Sequence, residues 1–288
     1  MLTILLNAIL TVHRKPLRII DNQGRVIMYI VGHPEEFDEV SKETIEAFER
    51  VEKLLSLNAV HTHHRHGEYG FVFTGISFGG GQTRPGNLHN TVNNESVMEE
   101  LLLNWVVQCV VQFINKAFAA VHPELWKCYQ HLLDDLTDGH PYLSQIFDCE
   151  HSVFASCTLN IGGMTTHHHC DHLNLGPGVC PIFAIGDFDH TKGGHLVLWD
   201  LKLVIEFPSG TLILIPSALL EHSNVPICEG ETHYSFTQFS AVGLFQWVDN
   251  SYRSDKDLEE WGSWVEGIAG EHRREKIWEE GFASLGHI

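Results

Sequence analysis

Thr166-His167-His168-His169-Cys170-Asp171-His172-Leu173-Asn174, answered fifty-one residues past Asp171 by His222, is the stretch from which fold and chemistry are read. On a strand, residues i and i+2 point the same way. His169 and Asp171 can therefore offer one imidazole and one carboxylate to a single metal. A second imidazole, from His222 on another strand, completes a facial triad and leaves the opposite face open to exogenous ligands. Four protein ligands would instead close the site and make the metal structural. The competing reading is a solvated loop in a chain that holds 21 His.

The surroundings favour the metal. Phe154–Ile161 reads as a strand leading into the motif, and Cys180–Ile185 and Gly194–Trp199 as two more. Leu203–Phe207 and Thr211–Ile215 flank Pro208-Ser209-Gly210 and read as a hairpin with turn residues at its tip. His222 follows, and Tyr234–Phe239 closes the series. Many short strands at close spacing suggest a sandwich or jelly roll. In such a roll an early ligand pair and a late ligand meet at one mouth.

Longer motifs carry a resemblance. Ala184-Ile185-Gly186-Asp187-Phe188-Asp189, the run from Lys192 to Gly210, Pro216-Ser217-Ala218 and His222-Ser223-Asn224-Val225 are similar to the fungal, transposon-associated branch of the TET/JBP dioxygenases. The likeness continues through Gly75–Gln82, Pro85–Leu88, Gly230–Phe239 and Gly243–Val248, covering about residues 70–250. It implies an α+β fold with a double-stranded β-helix (jelly-roll) core flanked by helices. It also implies Fe(II) and 2-oxoglutarate as cofactors with O2, oxidation of a methylated base in DNA, and a nuclear location. The iron ligands it implies are His169, Asp171 and His222, with His167, His168 and His172 as flanking residues. Asn174 would brace the metal loop. His195 is a candidate contact to 2-oxoglutarate, weighed against a structural histidine at a strand start.

The chain departs from that family at His233, eleven residues past His222, where members carry the Arg that binds the far carboxylate of 2-oxoglutarate. Arg is always charged and offers a planar fork; a histidine is mostly neutral at pH 7 and donates one bond. Ser235, two residues on, can still donate its hydroxyl. Three functions follow as alternatives. One is a dioxygenase acting on 5-methylcytosine or 6-methyladenine in DNA. The second is a relative that keeps the iron ligands but binds 2-oxoglutarate poorly. The third is a dioxygenase for protein side chains or small molecules. A base oxidised at the metal has to leave the helix and stack in a pocket, and Phe78 in the Gly-rich loop is the residue assigned to that stacking.

Composition sets limits. A chain of 288 residues, 43% hydrophobic and 10% aromatic, can bury a large core. Seven Cys without a Cys-x-x-Cys pair point to a reducing, intracellular compartment rather than a disulfide or zinc framework. The apolar start, 1–10, is too short to span a bilayer and lacks a preceding basic segment, so neither secretion nor a membrane partner is expected. A net charge of −19 opposes phosphate binding, leaving Arg14, Lys15, Arg18, Arg65, Arg84 and Lys192 as local candidates. Oligomeric state is not legible.

Three parts are expected. Residues 1–66 would hold a hairpin (17–20 and 26–31) and an amphipathic helix (35–57) appended to the core. Residues 67–250 would form the core, with helices over 96–120 and 124–136. Residues 251–288 would add a C-terminal helix, Asp255 to Phe282, packed through Trp261, Trp264, Ile268 and Ile277. His61-Thr62-His63-His64-Arg65-His66 reads as an exposed linker.

Overall fold

A computed structural model of the protein describes residues 8–11, 16–32, 37–163 and 165–261. The N-terminal third runs β1 (Ala8–Thr11), β2 (Leu17–Ile20), β3 (Val26–Gly32), α1 (Phe37–Leu54), α2 (Ala59–Thr62), β4 (Gly70–Ser77) and β5 (Gly86–Asn87). Helices α3 (Val92–Leu103), α4 (Trp105–Val121) and α5 (Pro123–Gly139) follow. The remainder is β6 (Ser156–Ile161), β7 (Cys180–Ile185), β8 (Leu196–Leu198), β9 (Leu203–Glu206), β10 (Leu212–Ile215), β11 (His222–Asn224), β12 (Tyr234–Phe239), α6 (Val242–Asp249) and α7 (Asp255–Trp261).

The strands form two sheets, a major one in the order β2-β3-β10-β7-β12-β6-β4-β5 and a minor one in the order β1-β9-β8-β11. This is the expected α+β jelly roll with helices on one side. Alternation along the central strands assigns the layers. Phe183 and Ile185 of β7, Leu212 and Leu214 of β10, and Tyr234 and Phe236 of β12 face the helices, packing with Phe48, Val110 and Ile114. Ile182, Ala184, Ile213 and Ile215 point the other way and meet Leu196, Leu198 and Ile205 of the minor sheet. Every neighbouring pair in the major sheet is antiparallel.

Three expectations are corrected. The 203–207 and 211–215 runs do not pair with each other. β9 lies in the minor sheet and β10 in the major one, so Pro208-Ser209-Gly210 is a corner where the chain changes sheets. Turn chemistry fixes the reversal but not the partner, and Gly210 N–H is taken by Ala184 O at 2.8 Å across the corner. The expected helix over 96–120 is two helices bent by 70° at Asn104, whose side chain accepts from Val106 N–H as the cap of α4. The N-terminal hairpin is not a separate appendage, since β3 pairs with β10 and β1 with β9. The C-terminal helix is described only over Asp255–Trp261; Trp264, Ile268 and Ile277 lie outside the described residues. Among the described residues no single helix is long and apolar enough to cross a membrane.

Candidate metal centre and its cavity

His169 and His222 form an isolated antiparallel pair. Each donates its backbone N–H to the other's carbonyl, at 3.1 and 2.9 Å. Directly opposed residues on an antiparallel pair present their side chains on the same side, and the two rings sit with centroids 4.3 Å apart. Asp171, one alternation on from His169, brings Oδ1 to 3.7 Å from His169 Nε2. Donors at right angles on one metal, each about 2.1 Å away, would stand roughly 3 Å apart, so this pair needs only a small adjustment to bind.

Hydrogen bonds fix which nitrogen each ring presents. His169 Nδ1 lies 2.7 Å from His167 O and His222 Nδ1 lies 2.9 Å from Leu220 O. A carbonyl only accepts, so each Nδ1 carries the proton and each Nε2 keeps its lone pair toward the cavity. The loop between them is stitched down: Asp171 N–H donates to Ser217 O at 3.0 Å, and Asn174 Nδ2 donates to Ser217 Oγ at 3.2 Å. Asn174 therefore braces the motif onto the segment leading to His222. Burial, then the neighbouring His222, holds the His169 imidazole below its ordinary pKa, which keeps it neutral and able to ligate at pH 7.

The flanking histidines behave as side groups. His167 and His172 are exposed, and His168 meets Glu221 at 2.9 Å on the outer surface. Cys170 does not line the cavity, and burial pushes its thiol up.

His66 was expected in a solvated linker, and this is corrected. Its ring stacks on His169 with centroids 4.2 Å apart and planes 20° from parallel. The donor atoms of His66, His169 and Asp171 all lie within 4.8 Å of one another, the group of that kind found among the described residues; the expected third ligand, His222, is not part of it and meets the group through its ring contact with His169. Desolvation, then the nearby His169 and Arg65, pushes His66 down to about 4. The placement comes from a strap: His64 and Gly67 exchange backbone bonds at 3.1 Å, and Gly67 bridges to Thr166. Gly67 has φ +155°, and a Cβ there would stand 2.4 Å from Thr165 O. That glycine was the only trace of the strap in the sequence.

The donors open into a cavity of about 340 Å3, within the range of small-molecule sites. Its floor is the inner face of the major sheet, read off by alternation: Phe71 and Phe73 of β4, Thr158 and Asn160 of β6, Ser235, Thr237 and Phe239 of β12, Ile182 of β7. Leu196, His222 and Asn224 cover it from the minor sheet. Asn160 Nδ2 donates to Ser235 Oγ at 2.8 Å, joining two of the polar groups on the floor. Among the described residues Arg65 is the one Arg or Lys in the lining.

Three assigned residues fall elsewhere. His233 is 1% exposed with its ring 4.7 Å from Phe188, and it does not line the cavity. It precedes the first residue of β12, so the alternation that carries Ser235 inward does not extend to it. His195 likewise precedes β8 and lies outside the lining; its Nε2 is shielded from solvent and takes no hydrogen bond among the described residues. Phe78 packs edge-on against Trp247 at 5.3 Å. The aromatic rings that do face the cavity are Tyr69, Phe71, Phe73 and Phe239.

The donor set fits a first-row divalent metal held on one face. Ser235 and Asn160 are suited to oxygen-rich ligands, although the described lining offers a single guanidinium for a dicarboxylate.

No protein-family model matches the chain, nor does any curated protein. Among solved structures, the chain is similar to NgTET1 in complex with 5mC DNA, at 18% identity and a TM-score of 0.58, over 81% of this chain and 78% of that one. Weaker likenesses include a Pseudomonas putida prolyl-4-hydroxylase (13% identity, TM-score 0.40, 70% and 85% covered). Another is a 2OG-Fe(II) oxygenase-family oxidoreductase from Burkholderia pseudomallei (15%, 0.36, 68% and 76%). The first likeness shows the fold alone: this chain shares the jelly-roll fold of NgTET1.

Proposed function

We propose that the protein is an Fe(II)/2-oxoglutarate-dependent dioxygenase that oxidises the methyl group of a modified base in DNA, 5-methylcytosine or 6-methyladenine. The observation that carries this reading is the joined placement of His169, Asp171 and His222. Two imidazoles have their Nδ1 protons tied back, and one carboxylate stands beside His169 in the lining of the same cavity. The likeness to a DNA-bound NgTET1 supports the choice of nucleic acid over other substrates.

His169, Asp171 and His222 would hold the iron, and Asn174 and Ser217 keep the loop in register. When bound, iron and 2-oxoglutarate supply the oxidising equivalent that turns a C–H bond into C–OH, with O2 consumed and succinate and CO2 released. Ser235 and Asn160 donate to carboxylate oxygens on the cavity floor. Phe71, Phe73 and Phe239 offer faces against which an extruded base can stack, as required when chemistry is done on a base taken out of the helix.

The charge of −19 and the single lining guanidinium favour a second reading, a member with weak 2-oxoglutarate affinity. Succinate release separates the two, measured with Fe(II), 2-oxoglutarate and oligonucleotides that carry 5-methylcytosine, 6-methyladenine or no modification. Stimulation by one methylated oligonucleotide supports the first reading. Release that is weak, saturates only at high 2-oxoglutarate and ignores DNA supports the second.

A further inference from the structure

We propose that His66 is an additional ligand of the metal, taking one of the positions that His169, Asp171 and His222 leave open and yielding it when the co-substrate arrives. The proposal rests on the iron-site reading above and concerns how that site is closed at rest. Its basis is geometric. The donors of His66, His169 and Asp171 lie mutually within 4.8 Å, and the His66 ring is stacked on His169 rather than turned to solvent.

The strap that carries His66 cannot drift from the centre. His66 O accepts from His167 N–H at 2.5 Å, inside the metal motif itself. Gly67 bridges to Thr166, where the close approach to Thr165 O excludes any side chain. The ring also has somewhere to go when displaced, because Arg65 Nε donates to His66 Nε2 at 2.7 Å. A metal drawing on this ring competes with that bond, so the ring can rest on the metal or on Arg65. With His66 bound, three imidazoles and one carboxylate would hold the metal; unlike the fourth ligand of a closed structural site, this one is exchangeable because Arg65 can take the ring back. His66 would give up its position to an incoming co-substrate and turn back to Arg65, which would couple access to the metal to co-substrate binding.

Pulsed electron paramagnetic resonance on the protein loaded with one equivalent of Cu(II) counts coordinated imidazoles directly. We expect three in the wild type, two in His66→Gln, and three in His64→Gln, which alters the neighbouring histidine of the same strap. Adding 2-oxoglutarate to the wild type should lower the count from three to two, a result that needs no variant to fold. The Co(II) dissociation constant should rise by roughly tenfold or more in His66→Gln. Two imidazoles in the wild type, unchanged by His66→Gln and by 2-oxoglutarate, would overturn the proposal. If His169→Gln and His222→Gln also leave the count unchanged, the iron-site reading itself has failed.

Discussion

His169 and His222 are joined backbone to backbone by a reciprocal pair of hydrogen bonds, so that their rings stand side by side, 4.3 Å apart, before any metal is considered. The centre is preorganised by strand pairing. Metal binding should therefore add to stability without a large rearrangement. At a metal concentration a hundredfold above Kd the gain is about 2.7 kcal/mol, worth several degrees of Tm in a chain of this size. Thermal denaturation with and without Co(II) should show that rise in the wild type and none in Asp171→Asn.

Gly67→Ala tests the strap. The substitution puts a Cβ against Thr165 O in a backbone conformation that side chains rarely adopt. Stability should fall by about 1–3 kcal/mol, and metal affinity should fall with it, because His66 and the motif are anchored through the same residues. Urea unfolding and a Co(II) titration check both; unchanged affinity with lowered stability would uncouple strap from site.

The pH dependence has a definite sign. His66 is pushed down to about 4 from an ordinary 6.5, and His169 is also lowered. Both are depressed, so in the metal-free protein their contribution is complete above pH 6.5 and is lost as pH falls toward 4, where the unfolded chain takes up protons first. Urea midpoints measured from pH 7.5 to 4.5 should decline, and the decline should be shallower in His66→Phe. Identical slopes would show that carboxylates elsewhere account for the loss.

Much of this was legible from local pattern. His-x-Asp spacing brings His169 and Asp171 to one side, because strand alternation is a short-range rule, whereas the third donor grouped with them is His66, not His222. The layers follow from the same rule applied to Phe183, Leu212 and Phe236. Long-range pairing was not legible. Turn residues at Pro208-Ser209-Gly210 mark a reversal equally well for a hairpin or for a corner between sheets. His66 looked like one more polar histidine, since its place depends on Gly67 meeting Thr166 across the fold. His233 was assigned by the family resemblance, but it precedes the first residue of β12, where alternation no longer carries a side chain inward.

His233→Arg follows from that last point. The native imidazole is buried against Phe188 outside the cavity lining, so the substitution asks whether the position that the family resemblance gives to the far carboxylate can serve it. We expect 2-oxoglutarate to bind more tightly by about 1.5–3 kcal/mol, the value of a charged two-pronged pair in a partly closed site. Stability without 2-oxoglutarate should fall, since a buried charge then lacks its partner. Calorimetric titration of wild type and variant decides it; equal affinities would show that Arg65 or another group already serves that carboxylate.

Phe236→Ala probes the sheet that carries the cavity floor. Phe236 is fully buried and packs near Phe48, so the loss should be about 3–5 kcal/mol by urea unfolding.

The most direct test is mass spectrometry of nucleosides from methylated DNA incubated aerobically with the protein, Fe(II) and 2-oxoglutarate. The prediction is a hydroxymethylated base formed in step with succinate, abolished in Asp171→Asn. Wild type and Asp171→Asn giving the same unmodified nucleosides, with no succinate from either, would contradict it.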